Sequence, residues 1–267
     1  LTCRIGCGFK KGESAMQFPA MRGIIDRRIL ANFHVDPDVL AGVLPSPFRP
    51  KLVNGQGIAG ICLIRLKQIR PRFVPALLGI SSENAAHRIA VEWDDEGETR
   101  QGVYIPRRDT SSRLNTLVGG RLFPGVHHHA RFQVHEHDDE YSVVLDSDDD
   151  DTHVAVKGHL TKDLPAGSVF SSIQAASDFF KCGSLGYSAT HTSGSYDGLE
   201  LLTFNWDVLP LSVERVESSY FEDRKLFSAG SVEFDCALLM RNIKHEWQGR
   251  PSLCVNAVPI ICDLGDL

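Results

Sequence analysis

Ala85-Ala86-His87-Arg88-Ile89-Ala90-Val91-Glu92-Trp93, then Asp94-Asp95-Glu96-Gly97, then Glu98-Thr99-Arg100-Gln101-Gly102-Val103-Tyr104-Ile105 is the stretch whose reading decides the fold class. Its first nine residues alternate, placing His87, Ile89, Val91 and Trp93 on one side, which is the period of a strand. The acidic tetrapeptide ending in glycine has turn chemistry, and the return leg is again strand-like. The three pieces therefore read as a β-hairpin.

Outward from this hairpin, strands separated by Gly, Pro and Asp turns dominate. Ile24 to Phe33 reads as a strand, after which Asp36-Pro37-Asp38 offers an N-cap, a first-turn proline and a first-turn acid. The short helix they start carries Val39, Leu40, Val43 and Leu44, and Pro45 stops it. Ile58 to Leu66 is a nearly continuous apolar run, expected for a strand covered on both faces. Further strands are expected at His127 to His137, Tyr141 to Leu145, Thr152 to Leu160, Leu199 to Val208 and Ser231 to Leu239. A second helix, Val169 to Cys182, sets Ile173, Ala176 and Phe180 on one face and ends at Gly183. Regular βαβ alternation is missing. The class is mainly β (α+β): a closed or strongly curved, largely antiparallel barrel with a few packed helices.

Size and charge bound the function. A chain of 267 residues, 42% apolar, can bury one substantial core without disulfides or metals. Residues 1–20, rich in Gly and Lys, read as a loosely ordered leader, and 21–267 as a single domain. The net charge of −6 comes with no Lys/Arg cluster longer than two, so no nucleic-acid partner is expected. Seven scattered cysteines (Cys3, Cys7, Cys62, Cys182, Cys236, Cys254, Cys262) form no CxxC pair and suggest a reduced, cytoplasmic protein. No run approaches the roughly 18 apolar residues of a membrane span, and neither sequons nor a signal-peptide stretch occur.

Several motifs fail on context. Gly55-Gln56-Gly57-Ile58-Ala59-Gly60 spells GxGxxG, but a dinucleotide site needs those glycines between a strand and a helix, and here they open a β-like run. His127, His129, Arg131, Gln133, His135 and His137 share one strand face. The first and last lie roughly 33 Å apart along the strand and Arg131 repels a cation, so a solvated face is expected instead of a metal site. Asp146 to Asp151 lacks the glycine and glutamate of a calcium loop and reads as a hairpin tip. No GxSxG pentad is present, and nothing singles out a cysteine nucleophile.

What remains is Gly102-Val103-Tyr104-Ile105-Pro106-Arg107-Arg108, which delivers two guanidinium groups at a strand exit into a Pro-stiffened turn. Side chains of neighbouring residues on an extended backbone point to opposite sides, so one arginine should face inward, and a buried guanidinium requires an anion. Glu83 or Asp109 could supply it, or a ligand carboxylate or phosphate matching the planar fork.

The order of elements also resembles a known family. A strand, Asp36-x-Asp38-x-Leu40-x-x-x-Leu44-Pro45-x-Pro47-Phe48, a loop with Ser82-Glu83-Asn84, and a strand ending in Pro106 plus two cations are similar to acetoacetate decarboxylase. In that family two lysines follow the proline, one forming a Schiff base with the keto acid. Laid on this sequence, the pair falls on Arg107 and Arg108, and the family's active-site glutamate on Glu83. Guanidinium stays protonated and does not add to ketones, so Schiff-base decarboxylation is not expected. Tyr104 to Asn115, Gly183 to Ser188 and Arg241-Asn242-Ile243-Lys244-His245-Glu246-Trp247 are closer to the uncharacterised YqjF-like branch of the superfamily. The resemblance spans Met21 to Trp247 and implies a cone-shaped barrel, an internal pocket and homo-oligomers.

The resulting site is Arg107, Arg108, Glu83 and Tyr104 around a small organic anion, with no cofactor and no metal expected. Whether the protein is an enzyme stays open. The alternatives are an enzyme of lyase or hydrolase type acting on a small organic acid, including residual lyase chemistry on Lys157, and a structural barrel with the arginines in an internal ion pair. Space discriminates: a ligand site calls for a cavity of about 300 Å³ or more, and a smaller one favours the structural role.

Overall fold

The computed structural model describes residues 20–118 and 125–255; the expected leader, apart from Ala20, and Cys3, Cys7 and Cys262 lie outside the described residues. The deciding hairpin is present as β5 (Ile80–Asp95) and β6 (Glu98–Thr110), paired in register from Asp95↔Glu98 to Ile89↔Tyr104. Before it come β1 (Met21–Val35), α1 (Pro37–Val43), β2 (Arg49–Pro50), β3 (Leu52–Val53) and β4 (Gln56–Pro71). After it come α2 (Arg113–Val118), β7 (His127–His137), β8 (Glu140–Ser147), β9 (His153–Leu160), α3 (Ile173–Cys182), β10 (Leu185–Ala189) and β11 (Ser195–Thr203). The chain continues through β12 (Leu209–Ser218), α4 (Ser219–Glu222) and β13 (Val232–Cys254).

Local chemistry explains the boundaries. The Asp36 carboxylate accepts from the amides of Asp38 and Val39, capping α1 with Pro37 in its first turn. α3 starts at Ile173 and not at the expected Val169, because the Asp235 carboxylate accepts the Val169 amide at 2.7 Å and the Ser172 hydroxyl caps the helix from Ala175 N. The glycine-rich hexapeptide runs into β4, where a side chain at Gly60 would collide with the Ala31 carbonyl of β1. Those glycines serve close strand packing. β13 is 23 residues long, far beyond the expected Ser231 to Leu239.

Every strand belongs to one sheet, with β11-β10-β6-β7-β8-β9-β12-β13-β1-β4-β5-β2 side by side and extra pairings β6–β5 and β11–β13. Those two pairings close the sheet on itself. One ring runs β6-β7-β8-β9-β12-β13-β1-β4-β5 and back to β6, and a second leaves β13 through β11 and β10 to rejoin β6. Among the described residues the pairings are antiparallel except β6–β7 and β6–β10. Closure removes most free edges. β1, β4 and β5 have apolar residues on both faces. Ile29, Ile61, Leu63 and Ile89 join one buried cluster with β7, β8 and β9, and Leu30, Cys62 and Ala90 join another under α3. No helix among the described residues is long and apolar enough to cross a membrane.

The first face also holds a charge network. The Arg27 side chain is fully buried and donates to Glu83 at 2.6 Å and Glu136 at 2.7 Å, while Arg65 reaches Glu83 at 2.5 Å and Glu136 at 2.9 Å. Four strands, β1, β4, β5 and β7, are cross-linked in this way. Removing one carboxylate leaves a buried guanidinium undercompensated, so Glu136→Ala is expected to destabilise the fold by about 3 kcal/mol, read as a lower urea midpoint; an unchanged midpoint would show that the network adds nothing.

Candidate functional site

Pro106 stands where β6 changes neighbours. Through Val103–Ile105 the strand pairs with β10, and from Arg108 to Thr110 with β7. Register with β5 slips at the same place, from Ile89↔Tyr104 to His87↔Arg107, so Ile105 and Pro106 form a bulge. A proline, which has no amide to donate, fits that position. The arginine pair is therefore not in a turn after the strand, as its flanking residues suggest; it lies inside the strand, beyond the bulge.

Alternation separates the two arginines. Arg107 shares a face with His87 and Asp109; its Nη2 donates to Asp109 at 2.9 Å and to Asp149 of the β8–β9 turn at 2.8 Å. Burial would lower the Arg107 pKa, but hydrogen bonds to Asp109 and Asp149 outweigh it and raise the value. Asp149 in turn accepts from Ser147 and pairs with His128 at 2.7 Å. Arg107 is a compensated cation.

Arg108 points to the opposite face. Its Nε donates to the buried Ser188 hydroxyl at 3.0 Å, and no carboxylate pairs with it among the described residues. Burial lowers its pKa to about 10, which for a group that stays charged means a cation held without compensation. Beside it is a cavity of about 70 Å³ walled by Cys62, Ile64, Asn84, Ala86, Asp109, Leu199 and Trp247; the Asp109 carboxylate itself is taken by Arg107. His127, opposite Arg108 in the parallel β6–β7 pairing, lines the same cavity, and its Nδ1 lies 3.3 Å from the Gly125 carbonyl. Gly125 has φ +83°, and a side chain there would meet the Ser188 Cβ at 2.6 Å. Glycine thus lets the chain pass close to the serine that holds Arg108.

The other expected site residues stand apart. Glu83 belongs to the Arg27–Arg65 network on the far face. Tyr104 is buried among Phe48 and Tyr196, with ring centroids 5.5 and 6.0 Å away, and burial pushes its phenol to about 12. Lys157 is exposed and its ammonium donates to Glu214 at 2.7 Å; that hydrogen bond raises its pKa, the reverse of what a Schiff-base amine needs. The histidine row is only partly a solvated face, because His127 is recessed at the cavity while His129 pairs with Asp148 at 2.7 Å. Among the described residues no three His, Cys, Asp or Glu side chains are gathered as for a metal ion. His127 was read as part of a solvated histidine row and Ser188 within a family-like stretch, neither as a neighbour of Arg108, since the parallel pairing that brings β7 and β10 to β6 leaves no local signature.

Residues 25–229 match the family DUF2071, described as an uncharacterized conserved protein. No curated protein matches the chain by sequence. Among solved structures it is similar to an acetoacetate decarboxylase-like enzyme from Sphingomonas wittichii RW1 (TM-score 0.58, 13% identity, covering 88% of this chain and 92% of that one). It is also similar to acetoacetate decarboxylase from Legionella pneumophila (0.55, 13%, 96% and 92%) and to the enduracididine biosynthesis enzyme MppR complexed with pyruvate (0.57, 11%, 92% and 94%). These likenesses show a shared fold.

Two buried histidines and a half-buried one contribute to the acid response. Burial holds His87 and His127 near pKa 3 and His245 near 4, against about 6.5 in an unfolded chain. Below that value the unfolded state takes up protons that the folded state refuses. Stability is complete above about pH 6.5 and falls as the pH drops towards 3 to 4. The unfolding free energy should decline from pH 7 to pH 5, and His87→Phe should flatten that slope by about one proton; equal slopes would contradict the assignment.

Proposed function

Because the chain belongs to DUF2071, whose description names no reaction, we propose from its own geometry that the protein binds a small organic anion, a short carboxylate or 2-oxo acid, at Arg108. The observation that carries this reading is a recessed guanidinium, without a carboxylate partner among the described residues, facing a small and largely apolar cavity. A carboxylate there would neutralise the charge and accept the planar fork. Asn84 and His127, on the same cavity wall, would orient the rest of the molecule. The pyruvate held by MppR, a protein of like fold, is a ligand of the proposed class.

Size restricts the ligand. About 70 Å³ lies below the roughly 300 Å³ at which drug-sized ligand pockets begin, so only an anion of a few heavy atoms is admitted. By the size criterion a cavity this small favours the structural role; the ligand reading is kept for Arg108 on its missing carboxylate partner among the described residues, whereas Arg107, paired with Asp109 and Asp149, is a structural ion pair. Schiff-base chemistry has no support at these residues, since Arg107 and Arg108 stay protonated and Lys157 is tied to Glu214.

Thermal unfolding with acetate, pyruvate and benzoate separates the readings. Acetate or pyruvate at about a hundred times its Kd should stabilise the protein by about 2.7 kcal/mol, benzoate should not, and Arg108→Gln should abolish the effect while Arg107→Gln keeps it. If no short acid raises the melting temperature, the barrel is structural at both arginines. Borohydride treatment with pyruvate should leave the protein mass unchanged; an added mass would restore a Schiff-base mechanism.

A further inference from the structure

A larger, open cleft lies away from Arg108, where the start of β1 and the end of β4 meet the middle of β13 and the chain leaving β11. It holds about 350 Å³, inside the range of small-molecule sites. Arg22 of β1 and Arg70 of β4 are direct cross-strand partners and both line it. Like charges opposite each other in a sheet are unfavourable unless something compensates them. Arg22 has Glu246 at 2.6 Å, but Arg70 donates only to backbone, from Nε to the Val74 carbonyl at 3.0 Å and from Nη1 to the Gln68 carbonyl at 2.7 Å. Those two bonds fix the guanidinium and leave Nη2 without a partner among the described residues. Lys244, exposed and in no ion pair among the described residues, adds a third cation to the wall.

One further side chain shows that more than a bare anion fits. Phe204 is 65% exposed at the rim, an uncovered aromatic face anchored by its amide to the Lys244 carbonyl at 2.9 Å. His245, only 1% exposed, also borders the cleft, with its ring against the Ile243 backbone. Gly23 makes the room: a side chain there would run into the Ile69 methyl and the His245 ring.

We propose that this cleft is a second binding site, for a nucleoside phosphate. The phosphate lies across Arg70 and Lys244, and the base stacks on Phe204. Guanidinium forks match phosphate oxygens, and any base can stack on an exposed phenyl ring, so affinity is tolerant of which base is carried.

Isothermal titration of the full chain with AMP, adenosine and inorganic phosphate tests the assignment. AMP is expected to bind one per chain, with adenosine and phosphate each at least tenfold weaker. Phe204→Ala and Arg70→Ala should each weaken AMP about tenfold or more, and because both changes lie at the surface, circular dichroism should show intact folds. Pyruvate stabilisation should survive Phe204→Ala, which separates this site from the one at Arg108. No AMP heat, or AMP affinity untouched by both substitutions, overturns the proposal; phosphate binding as tightly as AMP overturns its nucleoside part.

Discussion

A strand that exchanges one neighbour for another must break its hydrogen-bond ladder somewhere, and in this barrel the break falls between Ile105 and Arg108. β10 lies against β6 up to the break and β7 beyond it. Pro106, which contributes no donor, occupies the gap, and the bulge it sits in resets the register with β5. Both rings of the sheet pass through this segment. The next two residues inherit the geometry: one side chain is sent to each face of the wall the rings share. Because the faces differ in charge, identical residues acquire different roles. Arg107 meets Asp109 and Asp149, whereas Arg108 meets a serine, a histidine and apolar walls.

Much of this architecture was legible in local sequence. The Ala85–Trp93 alternation, the Asp94–Gly97 turn and the Asp36 cap all appear as read, because each depends on residues a few positions apart. Acetoacetate decarboxylase-like topology also follows from the order of elements. What was not legible arises at long range. Glu83 carries the right chemistry for a site beside Arg108, but its strand parity puts it with Arg27 and Arg65 on the opposite face. Once the bulge is counted, parity links Ala86 to Arg108 and His87 to Arg107, and a one-residue bulge cannot be seen in a string of letters. His127 was read by its own strand period, which says nothing about the parallel neighbour that turns it inward.

The cations are distributed by the same logic. Arg27, Arg65 and Arg107 are each matched by carboxylates from other strands or turns, and they stitch the wall together. Arg88 is buried with its Nη2 on the Asn32 amide oxygen and its guanidinium over the Phe180 ring at 4.7 Å, an apolar substitute for a counter-ion. Arg108 and Arg70 have neither a carboxylate nor an aromatic cover among the described residues. On a chain of negative net charge that is a local arrangement, unrelated to overall composition. Trp247 stands between the two places, lining the Arg108 cavity and lying 4.4 Å from the His245 ring.

The pairing of β1 with β13, from Met21↔Trp247 to Val35↔Val232, also governs how the chain reaches this state. Strands some two hundred residues apart in sequence are immediate neighbours, so the loop entropy of nearly the whole polypeptide is lost before the ring can shut. On a ribosome, β1 is made early and waits for one of its partners until β13 emerges. During that interval the apolar run Ile58–Leu66 has β1 and β5 on its edges but no closed wall around it. Folding of this barrel is therefore expected to be slow and to end at the C-terminal strand, with the half-made sheet as the species most exposed to aggregation.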